Sequence, residues 1–89
     1  MIKRIQIRIN GRVQGVYFRK EAQQKARELM LKGFVRNEAD GSVYIEAEGD
    51  EEKLNQLVDW CRSGPPLAMV AHVMVNDLPI RTENDFEIH

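Results

Sequence analysis

Ile5, Ile7 and Ile9 alternate with Arg4, Gln6 and Arg8, the two-residue period of a strand with one buried face. The period changes after Gly15. Phe18, Ala22, Ala26, Leu29 and Met30 recur at helical spacing among polar residues, which predicts an amphipathic helix from about Tyr17 to Leu31. Gly33 is expected to end that helix, because a helix C-terminus favours glycine. Phe34 to Asn37 reads as a short second strand, and Asp40-Gly41 as the turn of a hairpin. Beyond the turn, Val43, Ile45 and Ala47 alternate with Tyr44, Glu46 and Glu48 in a third strand. Asp50 is placed to cap a second helix, whose positive end suits Glu51 and Glu52. Leu54, Leu57, Val58 and Cys61 form its apolar stripe, and Ser63-Gly64-Pro65-Pro66 stops it. Ala68 to Val75 is a mostly apolar fourth strand, and Phe86 and Ile88 flank Glu87 in a short last one.

This order, βαββαβ plus a C-terminal strand, predicts an α+β ferredoxin-like sandwich with two helices on one face of an antiparallel sheet. The helical stripes, with the Ile5/Ile7/Ile9 and Val43/Ile45/Ala47 faces, supply its core. With 89 residues and no visible repeat or linker, residues 1–89 are expected to form a single domain. No apolar run approaches the roughly 18 residues needed to span a membrane. Met1-Ile2-Lys3-Arg4 leads straight into strand residues, so no signal peptide is expected. Cys61 has no partner for an internal disulfide. The expected location is cytoplasmic, with no membrane partner.

Charge is unevenly distributed. Residues 1–37 carry ten basic and two acidic side chains, and residues 38–89 carry three basic and twelve acidic ones. Either an anionic ligand binds near the N-terminal half, or the two halves interleave and neutralise each other. The net charge of −1 is unlike the strongly basic balance of a general nucleic-acid binder, and no nucleic-acid partner is expected.

The chemistry concentrates between the first strand and the first helix. Gly11-Arg12-Val13-Gln14-Gly15-Val16-Tyr17-Phe18-Arg19 turns on two glycines and offers no Ser, Thr, Asp or Asn as a helix cap. The first N–H groups of the helix need another partner, and an anion suits both them and the helix dipole. Gly11 and Gly15 are either plain turn residues or parts of a backbone nest for that anion. Arg19 is either a solvated helix residue or the clamp, its planar fork matched to phosphate or carboxylate. Asn37 either helps form the hairpin turn or holds a water or a substrate oxygen with its amide.

Other chemistries find less support. The glycine loop lacks the Gly-Lys-Ser/Thr ending of a nucleotide P-loop. His72 and His89 are the only histidines and have no ligand spacing with Cys61, so no metal site is expected. Cys61 lies on an apolar stripe, the place of an inert buried thiol. Lys32-Gly33-Phe34 begins like an RNA-recognition strand, but Val35, Arg36 and Asn37 lack its second stacking aromatic. A phosphate-binding regulatory domain would not need a water-positioning Asn37.

The stretch from Gly11 to Arg19 resembles the first signature of the acylphosphatases, and Gly33-Phe34-Val35-Arg36-Asn37-Glu38-Ala39-Asp40-Gly41-Ser42-Val43, through Gly49, resembles their second. The likeness covers essentially the whole chain, including Trp60 and Gly64-Pro65-Pro66 at the end of the second helix. The resemblance implies hydrolysis of acyl phosphates to a carboxylate and inorganic phosphate, without metal or phosphoenzyme; no cofactor and a monomer are expected. By motif position it implies that the backbone N–H groups of Gln14, Gly15, Val16, Tyr17, Phe18 and Arg19 cradle the phosphate. Arg19 would also bind it through its side chain, and Asn37 would orient the attacking water. One departure is Leu29-Met30-Leu31, where many members have Leu-Gly-Leu. His72 and residues 76–84 receive no role.

Overall fold

A computed structural model describes every residue from Met1 to His89. The chain order is β1 (Ile2–Arg12), α1 (Phe18–Glu28), β2 (Lys32–Asn37), β3 (Val43–Asp50), α2 (Glu51–Ser63), β4 (Met69–Leu78) and β5 (Phe86–Ile88). The strands form one sheet in the order β4-β1-β3-β2-β5. β1 pairs antiparallel with both β3 and β4, and β2 pairs antiparallel with β3. The expected antiparallel sheet needs one correction. β5 runs parallel to β2, with Gly33 opposite Phe86 and Val35 opposite Ile88. β2 and β5 are not consecutive: the chain between them passes through β3, α2 and β4, and the β4–β5 segment then crosses from one sheet edge to the other.

Strand alternation does what the sequence pattern predicts. Ile5, Ile7, Ile9, Val43, Ile45 and Ala47 are buried beneath the helices. Ala22 and Ala26 on α1 are fully buried, and so are Leu57 and Cys61 on α2. The opposite face buries one guanidinium. Arg4 donates to Glu46 through Nε at 3.1 Å and Nη2 at 2.8 Å, to Glu48 at 3.4 Å and to Glu83 at 3.2 Å. The Arg81 backbone N–H donates to Glu48 at 2.7 Å. These bonds hold the β4–β5 connection against the sheet, which gives the polar segment before Phe86 its structural role. Burial pushes the Glu46 carboxyl up, but hydrogen bonds from Tyr44 and Arg4 outweigh it and hold the group below its ordinary value.

The charge asymmetry is largely interleaving. Lys3 pairs with Glu51, Arg8 and Arg36 with Glu38, and Arg27 with Asp85, each joining a base of residues 1–37 to an acid of residues 38–89.

The first helix ends earlier than expected, and Gly33 does not end it. Gly33 lies inside β2. The Leu31 N–H donates to Ala26 O at 2.9 Å and the Met30 N–H to Arg27 O at 3.0 Å, the double bond of a Schellman turn. Met30 therefore takes the left-handed position at φ 60° and is 73% exposed instead of joining the buried stripe. Replacing Met30 with glycine removes the Cβ strain of that backbone and forfeits no packing. Strain relief of about 1–2 kcal/mol exceeds the extra unfolded-state entropy of glycine, roughly 0.5–1 kcal/mol. Met30→Gly is predicted to raise the thermal midpoint by a few degrees, as calorimetry would show.

Candidate active site

Val13, Val16 and Phe18 are buried, so the loop between β1 and α1 is pinned to the core at three points. Phe18 packs edge-on against Trp60, with ring centroids 5.3 Å apart, and fixes the start of α1. Between the pins the backbone turns outward. Gly15 has φ 75°, and Tyr17, at the N-cap, has φ 68° and ψ 19°. For tyrosine a left-handed backbone is uncommon and strained. No side chain caps α1. The first hydrogen bond of the helix runs from the Glu21 N–H to Tyr17 O at 3.1 Å, and no turn or cap bond takes its donor from residues 13–20. Backbone N–H groups in alternating left- and right-handed conformations at a helix N-terminus make a concave anion site.

The loop frames a cavity of about 390 Å³. Gly15, Tyr17, Phe18, Arg19 and Asn37 line it together, and Lys20 and Ile88 complete much of its rim. A Cβ built on Gly15 would meet nothing within 4 Å, so the cradle is open at that point. Arg19 carries its guanidinium on the first turn of α1, with a single long contact to the His89 carbonyl at 3.4 Å and no carboxylate partner. Asn37 is half-buried at the end of β2, opposite Val43 of β3. None of the lining side chains is a carboxylate or an imidazole.

Gln14 and Val16 do not line the cavity. The Val16 side chain faces the core. The Gln14 amide crosses to the β2–β3 turn, donating to Glu38 O at 2.8 Å and Ser42 O at 2.9 Å. That turn is itself braced. Ser42 donates its hydroxyl and its N–H to Asp40, holding the Asp40 carboxyl below its ordinary value. Gln14 thus joins the cradle to the strand end that presents Asn37, a role that the sequence pattern did not disclose. Lys20 and Ile88 were also unmarked. Ile88 reaches the cavity because β5 lies parallel along β2, a pairing with no local sequence signal. Cys61 is remote in the core, and burial pushes its thiol up to about 12, which keeps it protonated. No group of three or more His, Cys, Asp or Glu side chains gathers at metal-binding distances.

Fold and cavity together define an α+β sandwich whose uncapped first strand–helix turn opens on a cavity. The acylphosphatase family model matches residues 5–88. The chain is 48% identical over 82 residues to an acylphosphatase of Methylococcus capsulatus, covering 92% of this chain and 89% of that one. It is 43% identical over 88 residues to one of Synechococcus sp. CC9311, with 99% and 98% covered. Its backbone matches the solved acylphosphatase of Coxiella burnetii with a TM-score of 0.96 at 34% identity, covering 99% of this chain and 93% of that one. The Bacillus subtilis acylphosphatase gives 0.95 at 36%, covering 100% and 99%. The chain belongs to the acylphosphatase family, and it is a hydrolase of acyl phosphates.

The Gln14 clamp has a measurable consequence. Gln14→Leu keeps the side-chain bulk but removes both amide hydrogen bonds, leaving the Glu38 and Ser42 carbonyls only the backbone N–H groups of Gly41 and Glu38. Losing ordinary hydrogen bonds costs about 0.5–1.5 kcal/mol each, so the variant is predicted to unfold at lower urea, with the strand end that carries Asn37 less firmly tied to the β1–α1 loop.

Proposed function

We propose that this cavity cleaves the carboxyl–phosphate bond by positioning and charge stabilisation, with no covalent intermediate and no metal. The N–H groups of Gly15, Tyr17, Phe18 and Arg19, the residues of the turn that line the cavity, take the phosphoryl oxygens, and the Arg19 guanidinium binds the same group through its fork. Asn37 holds the attacking water. The water oxygen forms the new bond to phosphorus as the bond to the acyl oxygen breaks. The carboxylate leaves with that electron pair, and the water proton passes to a phosphoryl oxygen of the substrate. A carboxylate is a good leaving group, so orientation and preorganised donors can supply the acceleration.

One observation carries this reading. Arg19 and Asn37 lie on different elements, yet they line one cavity with the left-handed turn at Gly15 and Tyr17. The absence of carboxylate and imidazole side chains from its lining is the reason for assigning the proton to the substrate.

The test is release of inorganic phosphate from benzoyl phosphate in the presence of EDTA. Wild type is expected to turn over unimpaired by the chelator. Arg19→Ala is expected to lose turnover by at least about 10²–10³-fold, the effect of removing one preorganised donor, and to bind phosphate more weakly. Asn37→Ala should lose turnover comparably while still binding phosphate. Loss of phosphate binding in a folded Asn37→Ala would contradict the division of roles.

Substrate-assisted proton transfer also sets the pH dependence. The rate is predicted to stay broad and shallow around neutrality. A sharp bell centred near neutral pH would show an enzymatic base and overturn that step.

A further inference from the structure

Arg19 is not the only cation at the cavity. Lys20 follows it in the first turn of α1 and lines the same wall. Cations there work against the helix dipole, which favours acids in the first turn. Lys3, Arg4, Arg8, Arg27 and Arg36 all face carboxylates, whereas Lys20 makes no ion pair. Adjacent helix residues do not face each other, so the Lys20 and Arg19 side chains fan toward different parts of the opening. Lys20 also borders a second hollow along α1, with Gln23, Gln24, Arg27 and Glu28, none of them a hydrophobic residue. Nearer the cradle, Tyr17 and Ile88 are 68% and 41% exposed and offer apolar surface beside the phosphate position.

We propose that Lys20 is a specificity-determining residue that selects acyl phosphates carrying a second anionic group on the acyl side. The inference rests on reading the cavity as the acyl phosphate site. The acyl body lies against Tyr17 and Ile88, and its distal carboxylate or phosphate meets the Lys20 ammonium, a point charge on a flexible stem that accommodates a range of lengths.

Benzoyl phosphate and 4-carboxybenzoyl phosphate share one rigid body and differ in the distal charge. Their kcat/KM values would be compared in wild type, Lys20→Met, Lys20→Arg and Lys25→Met. Wild type is expected to favour the carboxylated substrate by about three- to fivefold, the range of an exposed ion pair. Lys20→Met should bring that ratio close to one, Lys20→Arg should keep it, and Lys25→Met should leave it as in wild type. An unchanged ratio in Lys20→Met would overturn the proposal. So would equal slowing of both substrates with the ratio retained, or loss of the ratio in Lys25→Met. In each of those cases the enzyme still hydrolyses acyl phosphates. Wild type that releases phosphate from neither substrate would overturn the reading of the site itself.

Discussion

The site depends on a helix that begins without a cap. Three buried side chains, Val13, Val16 and Phe18, hold the β1–α1 loop to the core and force the intervening backbone outward. The left-handed residues Gly15 and Tyr17 then turn the chain so that its N–H groups are left for a ligand. Any side-chain cap would satisfy some of those groups and fill part of the cradle. Leaving them free lowers the local stability of the helix, and on the proposed reading a phosphoryl group is their partner. Strain and unmet hydrogen bonding therefore gather at one turn, where function can use them.

The rest of the fold keeps that turn in register with Asn37. Two amide hydrogen bonds from Gln14 span from the cradle to the β2–β3 turn. Arg8 and Arg36 both approach Glu38, and Ser42 bonds Asp40, so the turn is held from several sides. On the far side of the sheet, the buried Arg4 gathers Glu46, Glu48 and Glu83 and fixes the connection that leads into β5. β5 then brings Ile88 to the rim of the cavity. A buried cation with its carboxylates intact is weak evidence for net stability, but it specifies where the connection must lie.

Much of this was legible in the sequence because it is local. Alternation named the core faces of β1 and β3, Asp50 marked the cap that it forms at α2, and the lack of a capping residue before α1 matches a helix start with no side-chain cap. Features set by distant pairing were not legible. The parallel direction of β5 depends on the path of the β4–β5 connection, which carries no periodicity. Met30 looked like part of a helical stripe because its spacing fits. Only the Schellman bonds to Ala26 and Arg27 reveal it as the exposed left-handed residue. Gln14 stood in the correct motif, but its side chain serves a turn more than twenty residues away in sequence. The segregated charges allowed two readings, and the ion pairs between the halves bear out the interleaving. Five of the ten N-terminal bases are consumed by ion pairs, while Arg19 and Lys20 are left at the cavity.

The most direct measurement is a titration of the ¹⁵N-labelled protein with inorganic phosphate, following backbone amide resonances. Binding through the uncapped turn predicts large, saturable shifts for the amides from Gly15 to Arg19, with a smaller response at Asn37. Saturable phosphate binding that leaves those five amides unmoved would contradict the central claim that the backbone of this turn holds the phosphate.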